Sequence, residues 1–162
     1  MQLTHGYFWP AIVGRVYYDK PVVTYWLILA ATWVTGRLDE AACRIPSALA
    51  GLMAVGLLML LARRLYDWST AALSGFILAT SFSFVFYSRT ASADVETIAG
   101  ELGALLLFMR HEERQDGWWT VGLWLIMAAA SLTKGLLGFV LPIILAARSV
   151  DRIRLSRTAD GP

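Results

Sequence analysis

Apolar residues run almost unbroken from Ile45 to Ala62 and from Thr70 to Tyr87, and charge closes each run, Arg63 and Arg64 after the first and Arg89 after the second. Crossing a hydrocarbon core of about 30 Å takes roughly 20 helical residues. The two runs therefore predict membrane helices over 45–64 and 70–88. Three weaker runs follow. The first, 95–110, is interrupted by Glu96 and Glu101, while 118–132 and 135–148 are short and separated by little more than Thr133 and Lys134. The last two predict a tight helical hairpin, kinked in its second arm by Pro142, which membrane helices tolerate when neighbours satisfy the freed carbonyl. Ala71, Gly75 and Ala79 recur at every fourth position, a spacing that lets two helix backbones approach closely in lipid. The expected fold class is all-α, a polytopic membrane helical bundle forming one domain over 1–162, closed by a polar tail over 149–162.

The earlier run Pro21–Thr35 (PVVTYWLILAATWVT) fits either a span or a helix lying flat at the interface. At about 1.5 Å per residue it is roughly 23 Å long, marginal for a crossing, and Tyr25, Trp26 and Trp33 suit an interface. Under both readings Arg63, Arg64, Arg110, Arg114, Arg148, Arg152, Arg154 and Arg157 share one side, which the excess of positive charge makes cytoplasmic. Under both, Arg44, Arg89, Asp94 and Lys134 face the opposite compartment.

Composition narrows the function classes. Hydrophobic residues make up 57% of the 162 residues and charged residues only 16%, a surplus of apolar side chains that lipid accommodates. The net charge of +2 gives no basic patch for nucleic acid. A single cysteine, Cys43, excludes an intrachain disulfide, and His5 and His111 lie too far apart in the chain for a shared metal site.

Ionisable groups at membrane helices are costly unless paired or wetted, so each is a functional candidate. Three groups stand out: Tyr17, Tyr18, Asp19 and Lys20 before Pro21; Arg89 with Asp94 and Glu96; and Lys134 with Gly135 and Gly138. Glu101 follows Asp94 by seven residues, which puts both on nearly one helix face about 10 Å apart and predicts a polar cavity there. Each group also has a plain structural reading, as interfacial ion pairs or snorkelling anchors, and Arg44 beside Pro46 reads as a helix-start anchor.

The runs YYDKPVVTYWL, RIPSALAGL, SRTASAD and LTKGLLGFVLP, in that order, resemble the dolichyl-phosphate-mannose protein mannosyltransferase superfamily, and within it the bacterial branch that includes the aminoarabinose transferases of lipid A. Val22 stands where that branch usually has a second proline. The resemblance implies part of a C-type glycosyltransferase membrane core in the bacterial inner membrane. Residues 1–20 would be the remnant of an external loop and 21–36 a juxtamembrane interfacial helix, with the site on the periplasmic face and the 149–162 tail cytoplasmic.

The same resemblance implies a polyprenyl-phosphate-linked sugar donor, drawn from a membrane of lipids. Lys20 would bind its phosphate, with Arg89, Lys134, Arg44 and Glu101 as further substrate-binding candidates. Asp94 and Asp19 are the catalytic candidates, and the two together are also the possible ligands of a divalent metal cation. Sugar transfer from a lipid phosphate develops negative charge on the departing phosphate, which an ammonium stabilises, while a carboxylate takes the acceptor proton.

The family carries an acidic pair in its first external loop, and this chain starts after it; Asp39 and Glu40 stand elsewhere and do not inherit that role. The expectation is therefore an incomplete transferase core, inactive alone. Two alternatives are a non-catalytic lipid-carrier-binding or assembly module and a small transporter.

Overall fold

The structure is a computed structural model and describes residues 11–12, 15–16, 22–114, 117–134 and 144. Six helices are present among them: α1 (Val23–Thr35), α2 (Glu40–Leu65), α3 (Trp68–Thr80), α4 (Phe82–Ser88), α5 (Ala93–Arg114) and α6 (Gly117–Lys134). Ahead of the bundle, within the stretch expected as loop, β1 (Ala11–Ile12) pairs antiparallel with β2 (Arg15–Val16), Ala11 opposite Val16 and Ile12 opposite Arg15. The bundle is all-α, as its apolar runs predict. The expected 135–148 helix lies outside the described residues except for a helical Ile144.

Local chemistry sets the helix ends. Helix α1 stops at Gly36, whose φ of 69° is left-handed and whose N–H closes onto the Thr32 carbonyl at 2.9 Å. Its 13 residues reach only about 20 Å. Helix α2 starts five residues before the expected Ile45, because Asp39 is its N-cap, accepting the Ala42 N–H at 2.8 Å. Pro46 therefore lies inside α2 and is buried, where the sequence pattern had made it a first-turn residue. With 26 residues α2 is long and apolar enough to cross a membrane by itself.

The expected 70–88 helix is instead two helices bent by 66° at Ser81, which is extended (φ −65°, ψ 123°). No proline marks the break. Thr80 folds its hydroxyl back onto the Phe76 carbonyl at 2.8 Å, and such back-bonding loosens a helix end. Together α3 and α4 are apolar and long enough for one broken span. Helix α5 is long but carries Asp94, Glu96 and Glu101, and the apolar part of α6, Val121–Thr133, is short for a crossing.

Small residues hold the helices close. The core at the α2, α4 and α5 junction consists of Ala50, Ala54, Phe84, Val95 and Ala99. Ala71 and Gly75 of the four-residue stripe are buried, Gly75 against Met59 and Val55 of α2, whereas Ala79 is exposed, so the stripe acts through two of its three members. Helices α5 and α6 pair closely, with Gly100 facing Ala130 and Gly103 facing Ile126. Large apolar side chains point outward, among them Leu52 (73% exposed), Phe76 (65%) and Leu125 (66%). An outer surface of this kind belongs against lipid.

Candidate functional site

Ser92 precedes the first residue of α5, and its hydroxyl does two things: it accepts the Asp94 N–H at 3.3 Å and donates to the Asp94 carboxylate at 2.6 Å. The first bond caps the helix. The second orients the Asp94 side chain at a helix N-terminus, where the backbone dipole favours a carboxylate. Ser92 is itself anchored from α2, since buried Ser47 donates to the Ser92 carbonyl and accepts the Ser92 N–H, both at 3.2 Å. Asp94 is thus placed by a relay running from α2 through two serines.

Two more elements join α5 within its first turn. Thr24, in the first turn of α1, donates to Glu96 Oε2 at 2.8 Å. Thr97 meets Thr133 of α6 hydroxyl to hydroxyl at 3.0 Å, and Thr133 also donates to the Ala130 carbonyl. The start of α5 therefore meets the start of α1, the second turn of α2 and the end of α6. The stretches containing RIPSALAGL and SRTASAD, remote in sequence, touch through Ser47 and Ser92.

The expected site residues fall into four groups. Asp94 is half-buried at the junction just described. Arg89 caps the end of α4, exposed, with its N–H on the Val85 and Phe86 carbonyls at 3.2 Å, five residues before Asp94. Lys134 is helical, at the end of the described part of α6 and next to the Thr133 that touches Thr97; the turn expected after it lies outside the described residues. Asp19 and Lys20 lie outside the described residues.

Arg44 and Glu101 have surroundings of their own. Arg44 makes an exposed ion pair with Glu40 at 2.7 Å, one turn back on α2, so it and the second member of the Asp39–Glu40 pair stabilise a helix end while Asp39 caps it. Glu101 lies about two turns after Asp94 on α5. It lines a groove of about 270 Å³ with Leu58, Leu78, Ile98, Leu102 and Leu105, an apolar surface between α2, α3 and α5. A seven-residue spacing puts two side chains on one stripe, but the neighbouring helices decide what that stripe faces, and here leucines of α2 and α3 cover its lower part.

Ser47, Ser92, Thr24 and Glu96 hold the site together; the first three were missed as site residues, while Glu96 had been grouped with Arg89 and Asp94. Only Glu96 carried a signal, as an ionisable group in an apolar run. Among the described residues no group of three or more His, Cys, Asp or Glu side chains converges to hold a metal, and Asp94 has Ser92 as its near neighbour.

Comparison with known proteins gives this geometry a context. The sequence pattern of the family described as dolichyl-phosphate-mannose-protein mannosyltransferase matches residues 19–158. The chain belongs to this family. Among similar proteins, an uncharacterised protein of Aquifex aeolicus is 35% identical over 137 residues, 82% of this chain and 27% of the relative. An undecaprenyl phosphate-alpha-4-amino-4-deoxy-L-arabinose arabinosyl transferase of Pseudomonas aeruginosa is 33% identical over 144 residues, 85% of this chain and 26% of the relative.

The fold is that of a solved family structure. The crystal structure of ArnT from Cupriavidus metallidurans in the apo state superposes with a TM-score of 0.79 at 24% identity, over 93% of this chain and 29% of ArnT. ArnT bound to undecaprenyl phosphate superposes at 0.77 with 25% identity, over 90% and 28%. The chain spans about a quarter of the length of the curated relatives it matches.

Proposed function

We propose that this chain forms the donor-binding part of an inner-membrane glycosyltransferase that takes sugar from a polyprenyl phosphate, with Lys20 gripping the phosphate and Asp94 beside it on the periplasmic face. The observation that carries the reading is the hydrogen bond between Thr24 and Glu96 at 2.8 Å. Lys20 is four residues before Thr24, so covalent reach alone keeps their Cα atoms within roughly 14 Å. Asp94 is two residues from Glu96 in the same helix, a rise of about 3 Å. Both charged groups are tethered to one bond at one end of the bundle, and a hydrocarbon core of about 30 Å does not fit between two such short tethers.

The chemistry divides accordingly. A lysine ammonium is a compact charge for a phosphate whose negative charge grows as the sugar leaves. Arg89 and Lys134, at the ends of α4 and α6, add positive charge around the start of α5. Asp94, held by the Ser92 hydroxyl, is the acceptor for a proton from the incoming hydroxyl. Support for the donor class comes from the family, from the arabinosyl transferase relatives and from the undecaprenyl phosphate bound to ArnT.

The test is binding of undecaprenyl phosphate to the chain in nanodiscs. Lys20→Ala is expected to weaken binding by roughly 10- to 100-fold, the size of a lost charge-assisted contact. Equal affinity of parent and variant, or no binding by the parent, would end the proposal.

A further inference from the structure

Glu96 lies outside the groups just assigned, yet it is more than nine-tenths buried, at 8% exposure. One carboxylate oxygen, Oε2, accepts from Thr24, while the other, Oε1, is buried and has no hydrogen-bond partner among the described residues. A half-satisfied buried carboxylate costs folding free energy, and an apolar side chain of similar size would pack there without that cost. Stability therefore does not explain an acid at this position. Its location does suggest a role. The bond it makes joins the first turn of α1, the helix that follows Lys20, to the first turn of α5, the helix that carries Asp94.

We infer that Glu96 is a positioning residue for the donor site: through Thr24 it clasps the start of α1, the helix that follows Lys20 in the chain, to the start of α5, which carries Asp94. This rests on the functional reading above. Helix α1 packs along α2 and α6, and van der Waals packing of this kind sets the path of a membrane helix without fixing a hydrogen-bonded register. A hydrogen bond with a fixed length and direction sets the register that those contacts leave loose. Thr24 supplies the donor, and a carboxylate is long enough to reach it from a neighbouring helix. Ser47 and Ser92 orient Asp94 from the α2 side, and the clasp fixes the start of α1 from the other.

The inference separates affinity from stability. Undecaprenyl phosphate binding and detergent unfolding would be measured on the full chain in nanodiscs and micelles for Glu96→Ala, Glu96→Leu, Glu96→Gln, Thr24→Val and Thr24→Ser, with Lys20→Ala as reference. Glu96→Ala and Thr24→Val are each expected to weaken binding about tenfold, as for the loss of one charge-assisted hydrogen bond. The pair combined should do no worse than either alone, because both remove the same bond. Thr24→Ser keeps the donor and Glu96→Gln keeps an acceptor, and both should bind within about twofold of the parent. Glu96→Leu, an apolar residue of similar size, should bind as weakly as Glu96→Ala yet unfold no earlier than the parent, since it removes the unsatisfied buried group without leaving a cavity.

Loss of affinity and stability in parallel in Glu96→Leu would show Glu96 to be an ordinary strut and overturn the inference, as would unchanged affinity in Thr24→Val or additive losses in the pair. If the parent binds and Lys20→Ala does not, while the clasp variants bind normally, the clasp fails alone. If the parent does not bind, the functional reading fails first.

Discussion

Gly51 sits where α2 crosses the end of α4, and the space around it turns one methyl group into a measurable perturbation. A Cβ placed on Gly51 would lie 2.6 Å from Ser88 Oγ, 3.0 Å from Ser88 Cβ and 3.7 Å from Val95 Cγ1. Rotating Ser88 away breaks its bond to the Phe84 carbonyl at 2.7 Å and still leaves the short contact to its Cβ. Overpacking of this kind costs roughly 1–3 kcal/mol. Against it stands the gain of replacing glycine by alanine in a helix, about 0.5–1 kcal/mol. The same helix supplies a control at Gly56, where an added Cβ meets nothing within 4 Å, so Gly56→Ala receives the gain without the clash. The expected outcome is a net loss of about 1–2 kcal/mol for Gly51→Ala and a small gain for Gly56→Ala, a gap near 2 kcal/mol. Unfolding in mixed micelles, titrated with denaturing detergent, measures both. If the two variants respond alike, the close approach of α2 to α4 is wrong, and with it the path that places Arg89 beside the start of α5.

Two further outcomes concern charges away from the donor site. Arg44→Ala should change stability by no more than about 0.5 kcal/mol, since its pair with Glu40 is exposed, and should leave undecaprenyl phosphate affinity within about twofold; unfolding and binding titrations check both. The Thr70 hydroxyl, and after it the Thr70 N–H, hold the Asp67 carboxyl below its ordinary value of 3.8. Because the folded value is the lower one, the cap contributes in full above pH 3.8 and is lost as pH falls through the depressed value. Protection of the Thr70 amide against hydrogen exchange should therefore fall in acid, and Asp67→Asn should show no such acid step.

The membrane bundle was legible because apolar length is a local property, and α2 and α5 lie close to the runs that predicted them. The start of α2 was hidden because Pro46 resembles a first-turn residue, whereas the capping signal is Asp39, seven residues earlier. The bend at Ser81 was hidden because a Thr–Ser pair inside an apolar run has no fixed consequence until its neighbours are known. Family resemblance picked out Asp94 and Arg89, which the structure puts five residues apart at one helix junction. Ser47 and Ser92 carry no local signal, since serines are common in membrane helices and only the tertiary crossing makes them partners. Helical spacing fixed the stripe that carries Glu101, but the groove it lines also takes Leu58 and Leu78 from other helices, which no spacing within α5 could reveal.

The bend at Ser81 also changes how far the second apolar run reaches. Thirteen residues of α3 rise about 20 Å, and the seven of α4, inclined at 66°, add only about 4 Å along the same axis, against about 10 Å for a straight continuation. Arg89 is thereby set some 6 Å lower than an unbroken rod would set it. The second apolar run thus reaches only about 24 Å along the α3 axis, where an unbroken helix of the same twenty residues would reach about 30 Å, the thickness of a hydrocarbon core.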